Sequence, residues 1–157
     1  MPDTVRIRPY RPEDAAAFRD INLDWIARHF VVEPKDLQTL ENPDGAILAK
    51  GGAILMADLD GVTVGAVSLL PYAPGVLELA KMGVLPAAHG HGAGKALVAA
   101  AIDLARRMGA LSLYLETNAK LAPAIAIYRH AGFVDLPPRD TPYARADVFM
   151  ELRLAEA

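Results

Sequence analysis

Cysteine is absent from the 157 residues of this chain. Its absence excludes disulfide bonds, zinc sites with thiolate ligands and covalent intermediates on a cysteine sulfur. An excess of basic residues is missing too, because 16 lysines and arginines stand against 19 acidic residues, with a formal net charge of -3. The basic residues are scattered, whereas a surface that binds nucleic-acid phosphates needs them clustered. We therefore expect no nucleic-acid partner.

Long apolar segments are lacking as well. The most apolar stretch, residues 46–70, is interrupted by Lys50, Asp58 and Asp60, so it is not expected to span a bilayer. Residues 1–4 lack the basic segment and following apolar run of a secretory signal. With 53% hydrophobic and 22% charged residues, the composition is that of a globular protein. We expect one domain over residues 1–157, located in the cytoplasm and without a membrane partner.

The chain does contain a regular succession of hydrophobic patterns, which predicts the element order β, α, α, β, β, β, α, β, α, β, β. Two β-rich runs, residues 53–59 and 62–70, flank Asp60-Gly61, a pair that favours the type I′ turn of a hairpin. A third run, residues 76–85, contains Gly83, where a glycine often marks a bulge or a close backbone approach. The later strand–helix–strand crossover favours parallel pairing. The prediction is a mixed α/β sheet with helices packed on its faces.

Several local patterns predict element boundaries. Residues 42–45 have the composition of a turn. Leu97, Ala101, Leu104 and Met108 recur at helical spacing and predict the buried face of the central helix. Residues 133–136 and 145–154 are predicted as the closing strands, paired with each other. An edge strand at that place is consistent with a homodimer as a partner.

A glycine-rich turn is the strongest chemical signal in the chain. Glycines at positions 90, 92 and 94 follow a predicted strand and precede a predicted helix. Unpaired N–H groups at a helix start carry partial positive charge and bind phosphate, and glycines let the ligand touch the backbone. The pattern predicts a diphosphate cradle. The alternative is a glycine-rich turn that only leads into the helix.

Two familiar phosphate-binding loops do not fit this turn. A Walker A loop needs glycine at position 89 and serine or threonine at 96, where this chain has His89 and Ala96. The dinucleotide-binding pattern G-x-G-x-x-G needs a third glycine at 95 or 97, where Lys95 and Leu97 stand. A small nucleotide- or phosphate-binding α/β enzyme of another class stays as an alternative.

The turn is similar to a motif of the GNAT N-acetyltransferase family, Q/R-x-x-G-x-G/A, read here as His89-Gly90-His91-Gly92-Ala93-Gly94. Residues 124–133, with the sequence AIAIYRHAGF, resemble the family's later A-I-x-L-Y-x-x-x-G-F segment. The element order also matches along nearly the whole chain. The resemblance implies a GNAT-like acyl-CoA N-acyltransferase fold, with a central mixed sheet of about six to seven strands flanked by about four helices.

The same resemblance implies acetyl-CoA as the co-substrate and no metal ion. His89 and His91 have no carboxylate or cysteine nearby in sequence, which argues against a metal site. His89 departs from the glutamine or arginine of the motif, and Leu121 replaces an asparagine that the family often has, for which Asn118 is a candidate substitute. The residues expected to bind the cofactor are Met82, Val84, His89, Gly90, His91, Gly92, Ala93, Gly94, Lys95, Asn118 and Ala124.

Direct acetyl transfer needs a deprotonated amine, a polarised thioester carbonyl and a proton for the departing thiolate. The resemblance implies Tyr128 as the proton donor, with a packed core tyrosine as the alternative. Glu78 is the candidate base, because its neighbours are apolar and partial burial would raise its pKa. The alternative is a glutamate that faces solvent. A backbone N–H near Met82 or Gly83 is the candidate that polarises the carbonyl.

The acceptor site is the least defined part of the prediction. By analogy with the family, Glu116, Tyr143 and Arg145 are candidate substrate-binding residues, with solvated surface positions as the alternative. The expected function is N-acetyl transfer from acetyl-CoA to a primary amine of a small molecule, an amino acid, or a protein N-terminus or lysine. The alternative within the same fold is a non-catalytic acyl-CoA-binding sensor or partner module.

Overall fold

The structure, a computed structural model, describes residues 4–155 of the chain. None of the helices in this range is both long and apolar enough to cross a membrane. The strands form one seven-stranded sheet: β1 Val5–Pro9, β2 Ala53–Leu59, β3 Val62–Ala73, β4 Val76–Val84, β5 Ser112–Thr117, β6 Val134–Leu136 and β7 Val148–Arg153. The α-helices are α1 Ala15–His29, α2 Pro34–Leu40, α3 Pro43–Ala46, α4 Ala93–Arg107 and α5 Ala122–Ala131.

The strand order across the sheet is β1-β2-β3-β4-β5-β7-β6, which confirms the predicted mixed sheet. β4 and β5 run parallel, because α4 connects them as a crossover, and the other neighbouring strands pair antiparallel. The β2–β3 hairpin turns at Asp60 and Gly61, with φ angles of 50° and 82°. Both values are positive, as a type I′ turn requires.

Two apolar cores lie on opposite faces of the sheet. Side chains alternate along a strand, so Ile54 and Met56 of β2 pack in the core that contains Phe18 of α1. Leu55 and Ala57 belong to the other core, which is built around α4 and also contains Tyr128 of α5. The two helices that follow β4 and β5 therefore share one face of the sheet, and α1 covers the other.

The buried face of α4 differs from the predicted one at its end. Leu97 and Ala101 are buried as predicted, but Ala105 takes the next buried place and Met108 is 40% exposed. The helix ends at Arg107, so Met108 lies at the C-cap and leaves the core face.

Two predicted boundaries are also wrong. Residues 42–45 were expected to form a turn, yet most of them form the short helix α3, because the Asn42 side chain accepts a hydrogen bond from the Gly45 N–H at 3.2 Å. β7 begins at Val148 and not at residue 145, because the Arg145 side chain is bound to Asp36 of α2. The segment before β7 is thereby drawn towards α2.

Candidate active site

β4 and β5 separate after a short stretch of pairing. The parallel ladder joins Val76 to Ser112, Leu77 to Leu113 and Glu78 to Tyr114, and its register extends no further. β4 itself continues to Val84, paired with β3 on its other side. The backbone of residues 79–84 therefore borders a gap on the β5 side, and a strand edge of this kind presents N–H and C=O groups to a ligand.

A bulge interrupts β4 beside this gap. Ser68 pairs with Ala80 and Ala66 pairs with Gly83, so Lys81 and Met82 together stand opposite one residue of β3. Lys81 has a φ of 51°, in the left-handed region. The bulge lies just before Gly83, the residue at which the sequence predicts a bulge or a close backbone approach. Gly83 permits a close approach, because a Cβ there would lie 2.6 Å from Cδ1 of Trp25.

The glycine-rich turn leads from the end of β4 to the start of α4. Gly90 and Gly92 have φ angles of 86° and 82°, and a Cβ added at either would meet no atom within 4 Å. Gly92 is the N-cap of α4, and it has no side chain to cap the helix. The first helical hydrogen bond runs from the Ala96 N–H to the Gly92 carbonyl at 3.0 Å. The N–H groups of residues 93–95 therefore lie before the first bond of the helical ladder.

Two residues of the predicted motif have structural contacts of their own. The His89 Nε2 lies 2.9 Å from the Val84 carbonyl oxygen, so the ring closes the turn onto the last residue of β4. A Cβ on Gly94 would lie 3.2 Å from Cδ1 of Ile127, so this glycine lets α4 approach α5. Their place in the motif is therefore consistent with roles in shaping the turn.

Tyr128 lies beside the bulge. Its hydroxyl is 4.0 Å from the Met82 sulfur, and its ring packs edge-on against Phe133 with centroids 5.8 Å apart. Burial raises the pKa of Tyr128, so the phenol stays protonated at neutral pH. Ala124 lies one turn earlier on α5, packed against the same core. The structure thus brings Tyr128, Ala124 and Met82 to one region.

Asn118, another of the predicted cofactor residues, directly follows β5. Its Nδ2 donates to the Arg145 carbonyl oxygen at 2.7 Å, and its Oδ1 accepts from the Lys120 N–H at 2.8 Å. Both groups of the amide thus hold the loops that follow β5 and precede β7.

A pocket with a volume of about 380 Å³ opens on the face of the sheet that α1 covers, lined also by α2 and by the end of β5. It contains Glu78 and all three residues predicted to bind the acceptor. Its lining includes Trp25, Glu78, Lys81, Glu116, Tyr143 and Arg145. The volume lies within the range of small-molecule sites.

Two glutamates, Glu78 and Glu116, line this pocket. Burial and the nearby charge of Glu116 raise the pKa of Glu78 to about 7. Glu116 accepts hydrogen bonds from the Tyr114 hydroxyl at 2.8 Å and from the Thr141 hydroxyl. Glu78 is therefore a carboxylate that exchanges protons near neutral pH.

A buried ion cluster forms the wall behind the glutamates. Asp36 is wholly buried and accepts from the Lys81 Nζ at 2.7 Å and from the two terminal nitrogens of Arg145 at 2.8 and 2.6 Å. Burial alone would raise the pKa of Asp36, but the hydrogen bonds from Arg145 and Lys81 lower it to about 2. We call these three residues the Asp36 cluster. It ties α2, the β4 bulge and the segment before β7 together.

A sequence model of the acetyltransferase (GNAT) family matches residues 15–133 of this chain. The match covers β4 and β5, the glycine-rich turn and Tyr128. The chain belongs to the GNAT acetyltransferase family.

Curated relatives of this GNAT chain align with it over only part of their length. It is 41% identical over 86 residues to the uncharacterized N-acetyltransferase YjgM of Escherichia coli K12, an alignment that covers 53% of this chain and 52% of the relative. It is 35% identical over 140 residues to the mycothiol acetyltransferase of Sanguibacter keddieii, covering 82% of this chain and 43% of the relative. The chain thus spans about half the length of the curated relatives it matches, or less.

Solved GNAT structures share the fold over nearly the full chain. A GNAT-family acetyltransferase of Staphylococcus aureus Mu50 superposes with a TM-score of 0.85 at 21% identity, covering 97% of this chain and 100% of the other. The putative acetyltransferase yncA of Salmonella typhimurium, solved with its cofactor acetyl-CoA, has a TM-score of 0.78 at 24% identity, covering 98% and 95%. These likenesses confirm the predicted GNAT fold.

Sequence reasoning missed Asp36 and gave Lys81 no defined role. Asp36 lies three residues after Glu33 and accepts a hydrogen bond from its N–H at 2.9 Å, a capping box that any short helix can have. Nothing in that local pattern indicates a buried partner 45 or 109 positions away. These long-range contacts can be recognised only once the fold of the chain is known.

Proposed function

We propose that this GNAT chain transfers an acetyl group from acetyl-CoA to a primary amine by direct attack of the amine on the thioester. The observation that carries the proposal is the stretch of β4 that lies beyond its pairing with β5. The strand edge at residues 79–84 is released from β5 and leads directly to the glycine turn at the start of α4. A path of backbone donors and acceptors suits a ligand with amide groups in an extended arm and a diphosphate at one end.

The residues of the turn fit a diphosphate. The N-terminus of α4 carries partial positive charge from its aligned peptide dipoles, and no side chain caps it. Gly90 and Gly92 leave open space where a side chain would otherwise stand between the ligand and the backbone. The predicted cofactor residues around the turn are therefore proposed as its binding site.

Bound acetyl-CoA would supply the acetyl group as a thioester. Glu78 takes a proton from the ammonium form of the acceptor, since a carboxylate with a pKa of about 7 is ionised often enough to accept one at neutral pH. The freed amine forms the new bond to the carbonyl carbon, and the carbon–sulfur bond breaks. Tyr128 gives its proton to the departing sulfur, and the second proton that the acceptor nitrogen loses restores the Tyr128 phenol. The backbone N–H of Met82, in the bulge, is the proposed donor to the carbonyl oxygen.

Release of free thiol from acetyl-CoA in the presence of an amine panel tests the proposal. The protein has no cysteine, so a thiol reagent detects only the released CoA. We expect thiol release with at least one amine, and stabilisation of the fold by acetyl-CoA of about 2.7 kcal/mol at 100 times Kd. Stabilisation without any turnover would identify the sensor alternative. No stabilisation would contradict the proposed cofactor site.

A Tyr128→Phe variant tests the proton donor. The hydroxyl has only a weak sulfur contact, so its removal leaves the packing intact. We expect turnover to fall by about 100-fold or more, with binding of acetyl-CoA retained. Tyr10→Phe is the matched control, because it removes a buried hydroxyl that has no hydrogen-bond partner within the described residues. Full turnover in Tyr128→Phe would exclude the role.

A further inference from the structure

The 380 Å³ pocket has charged groups of both signs on separate elements. Glu78 and Glu116 lie on β4 and β5 and supply the negative side. Lys35 on α2 and Lys50, at the end of the turn Leu48–Lys50, also line the pocket. A ligand in this pocket therefore meets carboxylates from the sheet and ammonium groups from the segment that covers it.

The other two cations of the pocket are already neutralised. Lys81 and Arg145 bind Asp36, and Arg145 also reaches Glu33 at 3.3 Å, so two positive charges face two negative ones. Within residues 4–155, by contrast, no ion pair involves Lys35 or Lys50. Both lysines are exposed, and although the charge of Lys35 acts to lower the pKa of Glu78, neither lysine is held in a direct ion pair within that range.

The two lysines are also remote from the proposed diphosphate site. They share the pocket with Glu78 and with Pro71, which pairs beside it on β3. Val84 lies six residues after Glu78 on β4, at most about 20 Å from it at the rise of an extended strand. The glycine turn follows Val84. Their charges are therefore placed for the acceptor and not for the phosphates of the cofactor.

The remaining walls limit the size and nature of the acceptor. Trp25, Phe30 and Tyr72 line the pocket and offer apolar surface. Its volume is near the lower end of ligand sites, which suits one small molecule. A carboxylate attracts an ammonium group and a lysine attracts an anion, so the arrangement is complementary to a molecule that carries both.

We propose that the acceptor is a free amino acid, bound with its amine towards Glu78 and Glu116 and its carboxylate towards Lys35 and Lys50. The inference rests on the proposed function, since it names the acceptor class for the same site. A polyamine would meet two uncompensated lysines, and a neutral peptide N-terminus would leave them without an anion. Both are disfavoured relative to an amino acid by the same two charges.

Matched acceptors test this proposal directly. We would compare the twenty free amino acids with phenethylamine and 3-(methylthio)propylamine, the decarboxylated forms of phenylalanine and methionine, and with a short peptide. The expected result is that at least one amino acid has a kcat/KM about ten-fold or more above the best carboxylate-free amine. A carboxylate-free amine or a peptide as the best acceptor would overturn the proposal.

A double variant Lys35→Met/Lys50→Met assigns the effect to the two lysines. Methionine keeps the aliphatic stem and removes the charge. We expect KM for the amino acid to rise about ten-fold, KM for the carboxylate-free amine to stay within about two-fold, and kcat to change little. Arg106→Met/Arg107→Met is the control, because it removes two charges at the far end of α4. An equal KM change for both acceptors would refute the assignment.

Binding without turnover separates this proposal from the proposed function. Thermal melting with each free amino acid needs no acetyl transfer. Stabilisation of the wild type that is lost in the lysine double variant supports the amino-acid site even if no thiol is released. Turnover of amines together with no stabilisation by any amino acid keeps the acetyltransferase proposal and overturns this one.

Discussion

The two ends of β4 present different parts of the chain to their proposed ligands. Beyond Val84 the proposed contacts are backbone amides at the start of α4, and three of residues 90–94 are glycine. Around Glu78 they are side chains contributed by α2, β4, β5 and the segment before β7. A backbone site depends on conformation alone, whereas a side-chain site depends on every partner being in place.

The largest effect is expected from breaking the Asp36 cluster. Asp36→Ala leaves the buried Lys81 and the half-buried Arg145 without their shared counter-charge, which typically costs about 3–5 kcal/mol of the free energy of unfolding. Urea denaturation at pH 7 measures it. The wild-type contribution of Asp36 is present above pH 3.8, its ordinary pKa, and is lost as the pH falls to about 2.

Asp103→Ala is the matched control for that variant. It removes an aspartate that pairs with Arg107 on the exposed face of α4 at 3.2 Å, and such pairs contribute less than about 1 kcal/mol. A loss below about 1 kcal/mol in Asp36→Ala as well would mean that the buried cations find other partners, and that the acceptor end does not depend on this cluster.

Blocking the backbone site is expected to have the next largest effect. Gly92→Val places a branched side chain in the open space before α4 and should weaken acetyl-CoA binding by about 100-fold, or roughly 2.7 kcal/mol. The φ of 82° also strains any valine there, so the fold loses about 1–2 kcal/mol. Titration followed by intrinsic fluorescence or calorimetry gives the affinity.

Gly109→Val isolates the strain from the block. Gly109 follows the other end of α4, has a φ of 86° and has no atom within 4 Å of an added Cβ. It should lose the same stability as Gly92→Val and keep normal affinity for acetyl-CoA. Equal affinities in the two variants would place the cofactor somewhere other than the glycine turn.

The glycine-rich turn that follows Val84 was largely predictable from sequence for a physical reason. Glycine adopts a positive φ without steric cost, so Gly90 and Gly92 mark the turn in the sequence itself. The helix that follows is recognised by the 3.6-residue period of its apolar residues. The hairpin at Asp60-Gly61 was readable in the same way. Local conformation of this kind is encoded by adjacent residues, and the predicted order of elements along the chain followed from it.

The pocket around Glu78 was only partly predictable from sequence. Glu78 was selected because its neighbours are apolar, and its raised pKa agrees with that reasoning. Asp36 was missed because its partners come from distant parts of the sequence. Arg145, predicted to bind the acceptor, lines the pocket but holds Asp36 with both terminal nitrogens. Contacts between residues more than 100 positions apart have no local signature.

A pH-dependent gain of stability is expected from Glu78→Gln. Burial and Glu116 raise the pKa of Glu78 from 4.5 to about 7, so the ionised form destabilises the folded state. Wild-type stability from this group is greatest below pH 4.5 and falls as the pH rises towards 7. The glutamine variant should therefore be more stable by roughly 2 kcal/mol at pH 8 and equal at pH 4.

Urea denaturation at the two pH values tests the Glu78 prediction. Glu41→Gln serves as the control, because Glu41 is exposed and lies outside the pocket. It should show no difference from wild type at either pH. If Glu78→Gln behaves in the same way, Glu78 is hydrated in solution and is unsuited to act as the base near neutral pH.

The smallest effect is expected from His89→Ala, and it sharpens the comparison between the two ends. The His89 Nε2 is 2.9 Å from the Val84 carbonyl, so the ring stabilises the turn by about 0.5–1.5 kcal/mol and leaves the phosphate contacts to the backbone. Affinity for acetyl-CoA should fall by less than about five-fold, whereas Gly92→Val lowers it about 100-fold. A loss in His89→Ala as large as that in Gly92→Val would show that a side chain grips the diphosphate, and the cofactor end would then be built on the same principle as the acceptor end.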